Sequence, residues 1–354
     1  MARNNVENVV RDEAESRLPR DSTQVSGNGR KVTERQDLLR RFASTPDVAE
    51  IRLMARTVRL EASSEAVLHL ARSFFRSHQV GSGGTPEFLW RIVCESGPRV
   101  ELRAAPLTAF SDPGLQYVNI AQRGFLAVDL ASREATAFLS DQFVEGGARF
   151  RHRPPLDILF CMTAPSLGLT TLSGGCVGVD DRCALIFGPP NSGKTTASYL
   201  AAKDGMEFHA DQVVFLDMKD NSLRVWGDPF PAVFRPQTRD LLPELQQTAL
   251  YSTYEDLEFY YFDKSPLQPH LARPLTPVCG LFLDRSATVE KELTRISTAE
   301  ALSRLHDCLL FGNDAQFDAQ ISAALAALSS IPIYNLRYRE DPKIAAGVIK
   351  ELLS

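Results

Sequence analysis

The sequence predicts two folded parts, a small α+β domain over residues 36–153 and a larger α/β domain over residues 154–354, behind a tail of residues 1–35. Three observations predict this. Residues 1–35 hold no aromatic side chain and mix charges with Ser, Asn and Gly, a composition that buries too little apolar surface to offset its ordering entropy. Beyond residue 154 strand-like and helix-like strings alternate, as they do in α/β domains. Within that alternation the apolar string CALIF, Cys183 to Phe187, runs directly into a loop punctuated by glycine and then into a helix-forming stretch. The chain has 354 residues, 44% hydrophobic and 23% charged, enough length and apolar content for two cores.

Composition also narrows the partners. A net charge of −5 leaves no basic surplus, so nucleic acid is not an expected ligand. No run of about 18 uncharged apolar residues is present, so no membrane-spanning helix is expected. The N-terminal MARNNVENVVRDEAES carries acids where a secretory signal needs an apolar run. The six cysteines, Cys94, Cys161, Cys176, Cys183, Cys279 and Cys308, form no C-x-x-C pair and sit mostly in apolar strings. They read as small buried hydrophobes in a reduced cytoplasm, and cytoplasmic is the expected location. The histidines are scattered without H-E-x-x-H, so no zinc site is expected.

The elements follow in order. In the tail, Arg11 to Arg20 could fold as a helix on a partner, a solvated tail being the default reading. IRLMARTVRLEA reads as strands turning near Ala55-Arg56-Thr57. Glu65 to Ser77 places Val67, Leu70, Ala71, Phe74 and Phe75 on one helical stripe, with His69 between two leucines as a satisfied interfacial residue. GSGGTPE is a turn, FLWRIVCES and RVELRAA are strands, and GFLAVDLASREATAFLS is a hairpin turning at ASRE. This first domain shows no chemical constellation. RPPLDILF then opens a helix whose Leu156, Leu159, Phe160 and Thr163 share a face, running on into a strand before Leu172.

The chemistry begins after CALIF. Gly188, Pro189, Pro190, Asn191, Ser192, Gly193, Lys194 and Thr195 fit G-x-x-x-x-G-K-[ST] without a mismatch, and Thr196 follows. The glycines let successive backbone N–H groups turn toward phosphate oxygens, and the helix starting near Lys194 adds its positive end. In such a loop the lysine reaches the β- and γ-phosphates and the Thr195 hydroxyl serves Mg²⁺, so the diphosphate or triphosphate of a nucleotide is the expected ligand. The helix ends at Lys203-Asp204-Gly205, with Gly205 as a left-handed cap.

Three acids could assist. Asp211 lies in MEFHADQVVFLD, at the middle of a strand-like run, Asp217 ends VVFLD, and Asp284 ends GLFLD. A strand ending in Asp is a weak signal, and Asp217 and Asp284 read as strand-end turn residues. Spacing from the loop favours Asp211.

At these residues the sequence resembles the HPr kinase/phosphorylase superfamily, in its divergent HPr-kinase-like branch. The shared order is a hairpin (VGVDDRCALIF, turning at Asp180-Asp181-Arg182), the loop GPPNSGKT, one helix, and a glycine and acid in KDGMEFHADQ. The resemblance spans Gly168 to Ser354 and is sharp between Val177 and Leu216; before it, the likeness is one of layout. It implies a P-loop HPr-kinase-like (PEP-carboxykinase-like) catalytic domain preceded by the small α+β domain. It implies Lys194 and Asp211 as catalytic residues, Asp211 being the base toward an acceptor hydroxyl. It places Thr195 and Gln212 at the metal, Gln212 standing where the family has a second acid. Two further departures are visible. Ser173 stands where the family has a histidine, and the E-x-R-G-x-G signature is missing, the comparable stretch being GDPFPAVFRPQT with Arg235 as its one evident anion-binding residue, read as an exposed structural arginine. The implied activity is therefore phosphoryl transfer from ATP to a hydroxyl of a peptide, protein or small molecule other than HPr. The alternatives are a non-catalytic ATP-binding regulator, toward which the lost acid and histidine point, and an NTPase of another kind. HPr kinases are hexameric, so the resemblance is compatible with a homo-oligomer.

The rest of the chain fits the same layout. LTPVCGLFLD reads as a strand with a turn at Arg285-Ser286, and STAEALSRLHDCLL as a helix capped by Ser297 or Thr298. PIYNLRY reads as a strand, and Asp341 with Pro342 starts the last helix. The aromatic, acidic stretch Tyr251 to Phe262 reads either as the lining of an acceptor site or as a partly buried flap.

Overall fold

Alternate burial along the first strands sets one face of a sheet against a core. The computed structural model describes residues 44–75, 84–95, 108–119, 124–141, 155–245, 249–254, 257–262, 267, 273–285, 288–311, 314–339 and 341–354. The expected tail, the Arg11–Arg20 helix and the RVELRAA strand lie outside these residues. β1 (Asp47–Leu53) and β2 (Arg56–Ala62) pair as an antiparallel hairpin. Its turn is Met54-Ala55, at φ 49° and 65°, one residue earlier than the sequence suggests. Positive φ at both positions matches the twist of a two-residue hairpin, and it frees Arg56 to begin β2.

α1 (Glu65–Phe74) starts at Ser64, whose Oγ accepts from Val67 N. It buries Val67, Leu68 and Ala71, whereas His69, expected at an interface, is exposed on the opposite face. The helix carries the chain over to β3 (Phe88–Glu95), parallel to β2. β4 (Thr108–Asp112), β5 (Leu115–Asn119), β6 (Gly124–Asp129) and β7 (Glu134–Ser140) form a meander that returns to β3. The result is a seven-stranded sheet of order β1-β2-β3-β7-β6-β5-β4.

α2 (Pro155–Thr163) lies on β6 and β7. From Leu156 to Thr163 every residue but Asp157 is buried, because both halves of the chain use this helix. The Phe160 ring stands 5.9 Å from Phe75 and 6.2 Å from Trp90 on one side, and 5.0 Å from Phe215 on the other. Residues 43–354 form one compact unit.

The second half holds β8 (Leu169–Ser173), β9 (Gly175–Val179), β10 (Arg182–Phe187), α3 (Lys194–Lys203), β11 (Glu207–Ala210), β12 (Val213–Lys219) and β13 (Ser222–Trp226). It continues with β14 (Ala232–Phe234), α4 (Pro236–Leu241), β15 (Ala249–Tyr254), β16 (Leu257–Phe262), β17 (Thr276–Arg285) and β18 (Lys291–Arg295). It ends with α5 (Thr298–His306), α6 (Asp318–Ser330), β19 (Ile333–Tyr338) and α7 (Pro342–Leu353). The central sheet has six strands in the order β11-β9-β10-β17-β19-β18, with β10, β17 and β19 parallel. The five residues Cys183–Phe187 are all buried, as a parallel strand covered on both faces requires. Ala184 and Ile186 face α3 and α7, while Cys183, Leu185 and Phe187 face the core shared with α2. On that second side lies a three-stranded sheet, β13-β12-β8. Cys161, Cys176, Cys183 and Cys279 are buried, Cys94 and Cys308 partly so, and all six are free thiols.

The stretch Tyr251 to Phe262 forms most of the hairpin β15–β16, which β14 extends to a third strand. Phe262 is buried and meets Phe234 and Tyr199 of α3 edge to face. Ser297 caps α5 by accepting from Glu300 N, and Asp341 caps α7 by accepting from Lys343 N.

Asp217 is not a strand-end turn residue. It lies within β12, 4% exposed, and holds the two halves together. Arg56 donates to Asp217 Oδ2 at 2.6 Å and to Oδ1 at 2.8 Å, and Trp226 Nε1 donates to Oδ2 at 3.0 Å. Burial alone would raise the Asp217 pKa, but the bonds from Arg56 and Trp226 outweigh it and hold the carboxyl below its ordinary value. Arg56→Ala leaves that charge buried without its main partner, and a loss of about 3–5 kcal/mol in urea unfolding at pH 7 is expected. Because the folded pKa is depressed, the stabilisation is complete above about pH 4, the unfolded value, and fades as pH falls through the folded one. The gap between wild type and Arg56→Ala should therefore narrow below pH 4; a gap that stays constant down to pH 2 would rule out the ion pair as its source.

Candidate functional site

The loop after β10 takes its shape from three residues at positive φ, Gly188 (141°), Asn191 (66°) and Gly193 (93°). A Cβ on Gly188 would lie 2.7 Å from Leu283 O and from Ser192 Oγ, and one on Gly193 would lie 2.5 Å from Tyr338 Oη. Both positions thus require glycine for space as well as for conformation. Tyr338 Oη donates to Ser192 O at 2.6 Å from the end of β19. In a trans peptide the Gly193 N–H points away from that carbonyl, so the tyrosine aims this donor to the other side of the loop. The helical ladder of α3 begins with Ala197 N donating to Gly193 O. The N–H groups of Lys194, Thr195 and Thr196 precede it and stand at the positive end of the helix. Pro189, Pro190 and Asn191 are exposed, Ser192 is buried, and Thr195 is half-buried.

Lys194 folds back over this loop. Its Nζ donates to Gly188 O at 2.7 Å and to Pro189 O at 3.0 Å. Burial lowers its pKa, and the nearby Asp211 charge acts against that. The structure therefore brings Lys194 and Asp211 within electrostatic reach, although 17 positions separate them in sequence. Gly175 lies between α3 and β11, where a Cβ would lie 3.1 Å from Ser198 Oγ of α3 and 3.3 Å from Ala210 O.

Asp211 does not sit inside a strand, as the run MEFHADQVVFLD suggests. β11 ends at Ala210 and β12 begins at Val213, so Asp211 and Gln212 form the break between them. Asp211 is 2% exposed, and its Oδ2 accepts from Val233 N at 2.9 Å. Gln212 is half-buried, and its carbonyl accepts from Gly174 N. Ser173 pairs with Val213 across β8 and β12, at the end of that ladder near the site. Asp217 pairs with Leu169 at the opposite end, so the structure does not bring it to Lys194. Asp284 is exposed and 3.8 Å from Arg337, at the end of β17 that lies beside the loop, where Leu283 O would be 2.7 Å from a Cβ on Gly188. Arg235 is half-buried just before α4.

Three neighbours of the site escaped the sequence reading. Cys308, taken as a buried hydrophobe, interacts with the Lys194 charge; burial pushes its thiol up to about 11. Its carbonyl accepts from Ser173 N. Tyr338 carries no local signal, since its partner is a loop 146 positions away. Asp228 is fully buried and accepts, through Oδ2, the N–H groups of Asp211 (3.0 Å), Gln212 (3.2 Å) and Val213 (3.3 Å). Its sequence signal is the Gly-Asp-Pro of GDPFPAVFRPQT, seven residues before Arg235. Gly227 makes this contact possible, because a Cβ there would lie 2.1 Å from His209 O. Gly227→Ala must push two backbones apart, and a loss of about 1–3 kcal/mol in denaturant midpoint analysis is expected. Unchanged stability would mean that this backbone is not held against β11.

No family model matches the chain. No curated protein matches it either. Among solved structures it is similar to the Hpr(Ser) kinase/phosphatase from Coxiella burnetii, at 12% identity and a TM-score of 0.29, over 52% of this chain and 87% of that one. A likeness of that size carries neither fold nor activity.

Proposed function

We propose that the chain is an ATP-dependent kinase that transfers a phosphoryl group to a hydroxyl of a peptide, protein or small-molecule acceptor other than HPr. The observation that carries this reading is the meeting of a glycine-shaped loop, its Lys194 and the buried Asp211 at the N-terminus of α3. The residues fit a polyphosphate: the loop turns through Gly188 and Gly193 at positive φ, and the buried Ser192 Oγ meets no partner among the described residues. Bound magnesium–ATP would supply the phosphoryl group and the metal charge. Loop N–H groups and Lys194 bind and orient phosphate oxygens, Lys194 exchanging its two carbonyls for them. Thr195 offers a hydroxyl, and Gln212 an amide oxygen, to the metal. Asp211 takes the proton from the acceptor hydroxyl. Among the described residues no group of three His, Cys, Asp or Glu side chains is gathered to hold a metal ion, but magnesium that arrives on phosphates needs few protein ligands. No helix among the described residues is long and apolar enough to cross a membrane. A cytoplasmic protein, self-associated as a homo-oligomer and without nucleic acid, completes the proposal.

One observation favours a non-catalytic ATP-binding regulator instead. Gln212 is neutral, and its backbone N–H and C=O are both already engaged, so the site has one acid where two would serve base and metal.

Lys194→Ala should weaken magnesium–ATP binding at least about tenfold by calorimetry, the scale of one lost charge-assisted hydrogen bond. Tyr338→Phe should weaken it in the same direction by freeing Ser192 O. Unchanged affinity in both variants would remove the nucleotide site.

Asp211→Asn should keep that binding and slow transfer of labelled γ-phosphate about 10²–10⁴-fold, the usual contribution of a general base. Transfer at the wild-type rate would dismiss Asp211 as the base. A wild type that binds ATP but transfers nothing to any acceptor in its own lysate would favour the regulator.

A further inference from the structure

Asp211 and Gln212 fall in the gap between β11 and β12, where no strand partner holds their N–H groups. One neighbouring segment takes over. It leaves β13 at Trp226, passes flush against β11 at Gly227, and delivers the Asp228 carboxylate beneath the gap. Oδ2 of Asp228 gathers the three consecutive N–H groups of Asp211, Gln212 and Val213, while Oδ1 accepts from Phe230 N at 3.2 Å. Five residues further on, Val233 N donates to the Asp211 carboxylate itself. Residues 227–233 thus form a bracket: Asp228 fixes the backbone that carries Asp211, and Val233 fixes the direction of its side chain. Asp228 is fully buried and both of its carboxylate oxygens accept backbone N–H groups, so its carboxylate is engaged in holding that backbone.

We propose that Asp228 is a positioning residue, which aims the Asp211 carboxylate toward Lys194 and the acceptor hydroxyl by ordering the three N–H groups of residues 211–213. This rests on the phosphoryl-transfer reading of the site. The geometry distinguishes positioning from mere support, since the bonds converge on the one stretch that carries both the base and the metal-side amide. Misplacement of a reacting group by about 1 Å can cost about 10²-fold in rate without touching substrate affinity.

The test compares wild type, Asp228→Ala, Asp228→Asn, Asp211→Asn and the double variant Asp211→Asn with Asp228→Ala. Each is measured as folded protein, for magnesium–ATP affinity and for γ-phosphate transfer. Asp228→Ala should lower kcat about 10²-fold and leave KM for ATP nearly unchanged. Asp228→Asn should recover most of that rate, because its amide oxygen can still accept the three N–H groups. Where Asp228→Ala does not fold, Asp228→Ser, whose shorter side chain cannot gather the three N–H groups, takes its place with the same expected loss of kcat. The double variant should be no slower than Asp211→Asn alone, since a residue that acts through Asp211 has nothing left to position. Wild-type kcat in folded Asp228→Ala and Asp228→Asn would overturn the positioning role, as would a loss that multiplies fully onto that of Asp211→Asn. A parallel fall of ATP affinity and kcat would overturn it in favour of general support of the site. A wild type that neither binds nor turns over ATP overturns the phosphoryl-transfer reading, and the positioning role falls with it; an active wild type with an unaffected, folded Asp228→Ala overturns the positioning role alone.

Discussion

A buried N–H or C=O that leaves a strand ladder must find another partner. The region around Lys194 is built from two such departures. One is the loop from Gly188 to Gly193, whose Ser192 carbonyl is taken by Tyr338. The other is the break at Asp211 and Gln212, whose N–H groups are taken by Asp228. In both cases a side chain from a neighbouring strand end does what the ladder would have done, and the freed backbone takes a shape no strand allows. The site is irregular where its chemistry is needed, and the irregular places are held by residues that need no contact with a ligand.

The same economy extends to the seven-stranded sheet. Arg56 grips Asp217, Asp217 accepts from Trp226, and the next two residues after Trp226 are Gly227 and Asp228. The ion pair therefore anchors the strand that leads into the bracket. Phe160 of α2 fills the space between the sheet and β12. The first sheet contributes no residue to the loop, yet it buttresses the strands from which Asp211 and Asp228 both project.

What the sequence revealed follows from how far each signal reaches. The loop was legible because its glycines, lysine and flanking strand and helix are contiguous. Asp211 was singled out through the resemblance, which counts from Lys194 to it, and the structure sets its charge near that of Lys194. Asp217 was misread because its partner, Arg56, is 161 positions away, and a buried ion pair looks the same in sequence as a strand-end acid. Asp228 and Tyr338 do their work at the ends of long-range contacts and left no periodic trace. His69 stood between two leucines, and neighbours in sequence point to different sides of a helix.

The buried thiols of the central sheet carry a consequence of a different kind. Cys176, Cys183 and Cys279 lie on the adjacent strands β9, β10 and β17, each at most 3% exposed. Burial raises Cys183 well above the ordinary thiol range and Cys279 to about 11, so little of either is the reactive thiolate near neutrality. An alkylating reagent can modify them only in molecules whose central sheet has opened. Their labelling rate is thus a clock for the opening of the sheet from which the loop springs, built into the chain without any added probe. A ligand that stabilises the closed sheet would slow that clock in proportion to its occupancy, turning an ordinary thiol reagent into a reporter of what this protein binds.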